Sequence, residues 1–311
     1  MRLHLLIVLV FVASGIQATN AQDARYLEAA KLKPAEELKL WPGNAPGEKG
    51  DIGPEKAEAG NETPPIIRVS NVSVPTMNFY PAKTDSDKNA CVVIFPGGGY
   101  SILAYDYEGI EVAHWLNEIG ISAVVCKYRV PRRADLPKHF APLQDAQRAM
   151  RLTRENAEKW KLDPDKIGVL GFSAGGHLAI MAATAYDEKV YEPVDAADKL
   201  SAKPDFALPI YPAYILGEDN QTWNKAETPF AEEIKFTKET PPFFMSIADD
   251  DPIGSMGAVK TYIKMRELGI PCELHVFVNG GHGYGLRHKN GRAATWDDLA
   301  AGWLKTFVLK K

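Results

Sequence analysis

Six apolar runs, separated by segments of helical length, constrain this chain more than any other feature. The runs are Cys91–Phe95, Ile121–Tyr128, Ile167–Leu170, Phe206–Ile210, Phe243–Ile247 and Glu273–Val278. A strand that is apolar at nearly every position, rather than at alternate ones, must be covered on both faces. Helical patterns fill the gaps: Tyr107 to Ile119, roughly Pro142 to Lys159, Ala174 to Thr184, Gly257 to Leu268 and, after the last run, Trp296 to Leu309. This alternation predicts an α/β chain with a mainly parallel sheet. Two further strand patterns, Ile66–Val74 and Met77–Tyr80, are split by Pro75. At 311 residues the chain suffices for one large domain with a sizeable core.

One junction in that alternation carries chemistry. The run Ile167–Leu170 breaks into Gly171-Phe172-Ser173-Ala174-Gly175-Gly176-His177, and a helical pattern follows from Leu178. A serine at the tip of so sharp a strand–turn–helix sits in a strained backbone. Its neighbours must be small, and its Oγ projects outward beside the first helical N–H groups. Ser173 is therefore the candidate nucleophile, against the plainer reading of an ordinary strand–helix turn.

Acyl transfer by serine needs a base, an acid to orient it, and donors for the oxyanion. Of the seven histidines, His4 lies in an N-terminal apolar segment. His114 and His177 fall on helical patterns and His275 within a strand, all three readable as structural. His139 and His288 are loop residues without a glycine frame. His282, in Asn279-Gly-Gly-His-Gly-Tyr-Gly285, follows the last strand and can turn back toward Ser173. The acid is sought in Asp249-Asp250-Asp251, at the C-terminal end of the Phe243–Ile247 run, where open α/β sheets place their ligands. Asp250 is favoured, then Asp251, then Asp249; the others are candidates for capping the next helix. The oxyanion donors are expected from Pro96-Gly97-Gly98-Gly99-Tyr100, with Gly98, Gly99 and Ala174 offering main-chain N–H groups. A phosphate loop is the competing use of such glycines, but no Lys-Ser/Thr follows and no Gly-x-Gly-x-x-Gly opens a helix.

Taken together, Pro96–Tyr100, Gly171–His177, Ala248–Pro252 and Gly280–Gly285 resemble the α/β-hydrolase superfamily. Within it the chain is similar to exported bacterial carboxylesterases of the acetyl-xylan-esterase-like group, related to hormone-sensitive-lipase-like esterases. Leu40–Pro46 and Pro142–Arg148 also look like segments of that group, and the similarity runs from about Trp41 to the C-terminus. The resemblance implies an eight-stranded, mainly parallel sheet with helices on both faces and a small cap insertion. It implies Ser173 as nucleophile, Asp250 as acid, His282 as base, and Gly98, Gly99 and Ala174 as the oxyanion hole. It also implies a short acyl ester substrate, acetyl foremost, on a small molecule or plant polysaccharide, and no metal or organic cofactor. The lipase-like relatives carry histidine before the three glycines where this chain has Pro96, so that side chain's contribution is missing while the backbone donors remain. Two rivals stand beside this reading: a serine peptidase of the prolyl-oligopeptidase type, and a catalytically inactive binding member of the fold.

The rest of the chain frames that core. Met1-Arg2, the apolar Leu3–Val12 and the small residues up to Ala21 read as a secretory signal peptide cleaved after Ala21. Residues 22–61 read as an N-terminal extension lying over the domain surface with Trp41 as its anchor, and 62–311 as the catalytic domain. Asp187–Ser201 and Tyr214–Lys238, the latter holding Trp223 and Phe230, interrupt the rhythm; the second is a candidate cap or a plain surface insertion. A net charge of −4, with no basic stripe, gives no footprint for nucleic acid. Three cysteines, Cys91, Cys126 and Cys272, all in strand-like runs, predict buried free thiols, with a Cys91–Cys126 bridge as the minor alternative. Asn61, Asn71 and Asn220 begin Asn-x-Ser/Thr sequences, acceptors only in a eukaryotic source. Arg287-His288-Lys289 reads as a solvated basic cluster or as a contact for an acidic sugar.

Overall fold

A computed structural model describes residues 28–310 except 51, 85, 87, 217–223 and 288–290. The expected signal segment, together with Trp223, Asn220, His288 and Lys289, lies outside the described residues. Among the described residues eleven strands occur: β1 (Glu36–Lys39), β2 (Lys56–Ala59), β3 (Ile67–Ser70), β4 (Thr76–Tyr80), β5 (Asn89–Phe95), β6 (Leu103–Ala104), β7 (Ser122–Lys127), β8 (Leu162–Phe172), β9 (Ala207–Ile210), β10 (Phe243–Ala248) and β11 (Cys272–Phe277). Eight of them form one sheet in the order β1-β4-β7-β5-β8-β9-β10-β11. The pairs β1–β4 and β4–β7 are antiparallel, and every later pair is parallel. All six apolar runs lie in this parallel part. β5 and β10 are buried at every position, as strands covered on both faces must be. The remaining strands make a small antiparallel sheet, β2-β3-β6.

The α-helices are α1 (Glu111–Glu118), α2 (Phe140–Glu155), α3 (Ala174–Thr184), α4 (Met256–Glu267) and α5 (Trp296–Trp303). A π-helical turn, Asp106–Ile110, leads into α1, and another, Leu304–Val308, continues α5. α3 is the most apolar: residues 174–183 are all buried, so it has no solvent face to make it amphipathic. It lies against β8, β9 and α2 directly behind Ser173.

The N-terminal stretch is more than a surface extension. Glu36–Lys39 is the edge strand of the main sheet, with Glu36 opposite Phe79 and Lys39 opposite Thr76. Trp41 is buried, and its Nε1 donates to Asp145 Oδ1 at 2.8 Å. Asp145 on α2 also accepts from the Arg129 backbone N–H and Nε, both at 2.9 Å to Oδ2, and neither side chain of this ion pair is exposed. Removing one member of such a pair strands the other charge, at a cost of about 3–5 kcal/mol. The pair fixes the chain just after Tyr128, whose hydroxyl donates to Pro96 O at 2.5 Å. The Asp187–Ser201 break is tied down likewise, since Arg148 of α2 pairs with Asp195 and Asp198. The three cysteines are free, Cys91 and Cys126 buried and Cys272 partly so; burial pushes the Cys91 thiol up.

Candidate active site

Ser173 sits where β8 turns into α3, with φ +53° and ψ −117°, a region β-carbon sterics disfavour. The flanking glycines explain how the turn is made. A Cβ on Gly171 would come within 1.9 Å of the Gly175 carbonyl oxygen, and one on Gly175 within 2.0 Å of Phe95 O. Strand, turn and helix meet here backbone to backbone, so neither position tolerates a side chain. The strained serine is held by main-chain bonds: its N–H donates to Ile210 O at 3.1 Å, and its carbonyl accepts from His177 and Ala213 N–H, each at 3.0 Å.

His282, in the loop after β11, places Nε2 2.7 Å from Ser173 Oγ and Nδ1 2.8 Å from Asp251 Oδ2. An ionised carboxylate only accepts, so Nδ1 carries the proton toward Asp251 and Nε2 offers its lone pair to the serine hydroxyl. The acid that orients the ring is thus Asp251 rather than the expected Asp250. The turn after β10 decides it. Asp249 still donates to Phe277 O in register with β11, Asp249 and Asp250 face solvent, and the Asp251 N–H folds back onto Ala248 O at 3.3 Å. That turn buries the Asp251 carboxylate fully beneath His282, where Oδ1 also accepts from Ile253 N–H at 2.8 Å. Asp250 instead accepts from Gly281 N–H at 2.8 Å, bracing the backbone next to His282. Asp249 receives the Ser255 hydroxyl at 3.3 Å.

The loop after β5 brings Gly97–Tyr100 against the serine turn: a Cβ on Gly97 would lie 3.1 Å from Ser173 Cβ. Gly98 and Gly99 take φ of +135° and +63°, values that glycine adopts without strain. Among the described residues, the N–H groups of Gly98, Gly99 and Ala174 have no protein acceptor, and Ala174 opens α3. Unspent donors beside a serine suit an anionic oxygen, each worth about 3 kcal/mol in a tetrahedral transition state.

Sequence reasoning passed over the carboxylate behind this loop. Glu108 is buried, accepts from Gly97 N–H at 2.7 Å on one oxygen and from the Tyr211 hydroxyl at 2.8 Å on the other. Burial raises its pKa, while these two donors and nearby His282 pull it back. Tyr211 Oη also accepts from Gly285 N–H at 3.1 Å, and its ring meets His282 edge-on at 5.2 Å between centroids. A signal was present. Glu108 stands four and seven residues before the buried Val112 and Trp115, so the 3.6-residue period puts it on the covered face of its helical segment.

Several other sequence candidates do not join this arrangement. His177 is fully buried, its Nδ1 2.8 Å from the Tyr100 hydroxyl and its Nε2 3.5 Å from Glu233 Oε1. Lys138 and His139 approach the same Glu233 oxygen at 3.4 and 3.6 Å. The His177 ring beside it holds the Glu233 carboxyl down to about 2. The described parts of 214–238 contain turns but no helix or strand. Tyr214 stacks on Tyr100 at 6.1 Å, and Ile215 and Ile234 are buried, so this segment packs beside the oxyanion loop. Arg287 is not solvated: its Nε bonds Glu111 at 3.0 Å and its Nη1 the Pro64 carbonyl at 2.6 Å. His275, on β11, has Nε2 2.7 Å from Glu273, and His114 Nδ1 is 3.8 Å from Glu118.

Known proteins resemble this chain in sequence and in shape. The BD-FAE family model matches residues 77–210. An acetylxylan esterase of Xylanibacter ruminicola is 29% identical over 252 residues, 73% of this chain and 48% of that protein. An endo-1,4-beta-xylanase B of Butyrivibrio fibrisolvens is 29% identical over 233 residues, 70% of this chain and 35% of that protein. The chain spans less than half the length of either. The crystal structure of an acetyl ester-xyloside bifunctional hydrolase from Caldicellulosiruptor lactoaceticus superposes with a TM-score of 0.67 at 30% identity, covering 89% of this chain and 97% of that one.

Proposed function

This chain belongs to the esterase-like α/β hydrolases, and from that premise we propose that it is a serine carboxylesterase removing short acyl groups, acetyl foremost, from carbohydrate esters such as acetylated xylan. The observation that carries the reading is the unbroken line from Asp251 through His282 to Ser173, with bonds of 2.8 and 2.7 Å, facing three unspent N–H groups. Ser173 Oγ attacks the ester carbonyl carbon and its proton passes to His282 Nε2. The carbonyl oxygen, now anionic, is received by the N–H groups of Gly98, Gly99 and Ala174. The tetrahedral species expels the alcohol, which takes the proton from Nε2, and leaves an acyl-Ser173. Water, deprotonated by the same nitrogen, then releases the acid. Asp251 keeps the Nδ1 proton in place and offsets the charge of the imidazolium that forms.

The substrate class comes from the relatives: one is named an acetylxylan esterase, another a xylanase, and the solved neighbour an acetyl ester-xyloside hydrolase. The N-terminal segment, with a basic start, an apolar run and Ala21, supports secretion or export to the periplasm, where a polymeric substrate would be met. No helix among the described residues is long and apolar enough to cross a membrane.

The test is turnover across p-nitrophenyl esters from acetate to octanoate, with acetate release from acetylated xylan measured alongside. Acetate should give the highest kcat/KM and the polymer should be deacetylated. Preference for octanoate overturns the short-acyl assignment, and faster cleavage of a dipeptide amide than of any ester overturns the esterase reading.

A further inference from the structure

We propose that Glu108 is a positioning residue that locks the oxyanion loop and the histidine loop into one unit, so that the donors and the base are aligned together. The inference rests on the serine-esterase reading above and adds a residue to its machinery.

The Pro96–Gly97 peptide is clamped on both sides. Its carbonyl oxygen accepts from the Tyr128 hydroxyl at 2.5 Å, and its N–H donates to Glu108 Oε2 at 2.7 Å. The next two peptides, which carry the Gly98 and Gly99 N–H groups, are held in turn by Ala104 N–H on Gly97 O at 2.9 Å and Ser101 N–H on Gly98 O at 3.0 Å, so the clamp anchors the start of a run already tied along its length. The other oxygen of the same carboxylate takes the Tyr211 hydroxyl at 2.8 Å, and Tyr211 Oη receives the N–H of Gly285, three residues beyond His282. The loop carrying His282 is held a second time by the Tyr107 hydroxyl, which donates to Gly283 O at 2.9 Å. Tyr107 neighbours Glu108 in the same helical turn, so one short segment, Asp106–Ile110, ties down both loops. The space is filled as well: a Cβ on Gly97 would meet Glu108 Oε2 and Phe172 O, each at 2.6 Å, leaving no room for the loop to shift toward the carboxylate.

A carboxylate is needed because both neighbours donate. The Gly97 N–H cannot rotate, so a glutamine here must turn its oxygen to Gly97 and its NH2 group to Tyr211. The tyrosine hydroxyl, already accepting from Gly285, then has to accept again and swing its own proton away from residue 108. The linkage to the histidine loop loosens while the shape of the core is kept.

Glu108→Gln should therefore lower kcat on p-nitrophenyl acetate by roughly 10- to 100-fold, with KM within about threefold of wild type, rates being normalised to sites titrated by a fluorophosphonate. Tyr211→Phe, which keeps the Glu108–Gly97 bond but cuts the link to Gly285, should lower kcat by about 5- to 10-fold. The double variant should be no slower than Glu108→Gln alone, as for two groups acting through one linkage. A kcat per titrated site within twofold of wild type for Glu108→Gln, or a loss confined to KM, overturns the proposal, as do effects that multiply in the double variant. If Glu108→Gln does not fold, Tyr211→Phe decides alone: a reduced kcat per site supports the linkage and an unchanged one overturns it. Ser173→Ala, assayed in parallel, separates this from the reading beneath it, because turnover surviving in Ser173→Ala overturns the serine mechanism whatever Glu108→Gln does.

Discussion

Two histidine–carboxylate pairs flank the same serine turn, and they differ in what faces the second ring nitrogen. His282 sits in a glycine-framed loop, partly open to solvent, with Asp251 on one ring nitrogen and Ser173 Oγ on the other. His177, four residues after Ser173 on α3, is sealed from solvent, with Tyr100 on one nitrogen and Glu233 beside the other. In the first pair one ring nitrogen is left facing a reactive hydroxyl. In the second, the nitrogens face a tyrosine hydroxyl and a carboxylate, and the ring joins α3, the Gly97–Tyr100 loop and the 229–236 segment. A histidine near an acid is therefore not enough; what faces its second nitrogen, and whether substrate can reach it, separates a base from a strut.

The two pairs differ most in what their acids do. Asp251→Asn should keep the geometry but present an amide that no longer demands the Nδ1 proton, lowering kcat by about 10³- to 10⁴-fold. Asp250→Asn leaves an oxygen able to accept from Gly281 N–H, so its kcat should fall by less than about fivefold. If the two variants exchange these effects, the assignment of Asp251 is wrong. At the buried pair the informative change is Glu233→Gln. Because its carboxyl is held below the ordinary carboxylate range, Glu233 stabilises the fold above that range, and the contribution disappears as pH falls from about 4.5 toward about 2. With allowance for partial exposure to water, Glu233→Gln should cost about 1–2 kcal/mol at neutral pH, a Tm lower by roughly 2–5 °C. That difference should vanish near pH 2, while kcat at neutral pH stays within about threefold. A Tm gap that persists at low pH would show that the charge is not its source.

Much of this was legible in the sequence where the backbone itself dictates the residues. Ser173 stands out because only glycine fits at 171 and 175, and His282 because glycines surround it at the end of a strand run. The parallel strands are visible as runs buried on both faces. Other features depend on geometry that a pattern does not carry. Which of Asp249, Asp250 and Asp251 turns inward is set by one turn bond from Asp251 N–H to Ala248 O. The edge strand Glu36–Lys39 reads Glu-Glu-Leu-Lys, half exposed and without a β-branched or aromatic residue, so nothing in its composition marks it as part of the sheet. Glu108 lay in between: its place on a helix's covered face was readable, but its two donors come from residues 11 behind and 103 ahead.

Ser173 as nucleophile is tested by intact-mass and peptide mass spectrometry after treatment with a fluorophosphonate. A single adduct mapped to Ser173 in the wild type, absent in Ser173→Ala and formed at least about 10²-fold more slowly in His282→Ala, is the expected result. Hydrolysis of p-nitrophenyl acetate by a protein that takes up no adduct, or an adduct mapped to another residue, would contradict it.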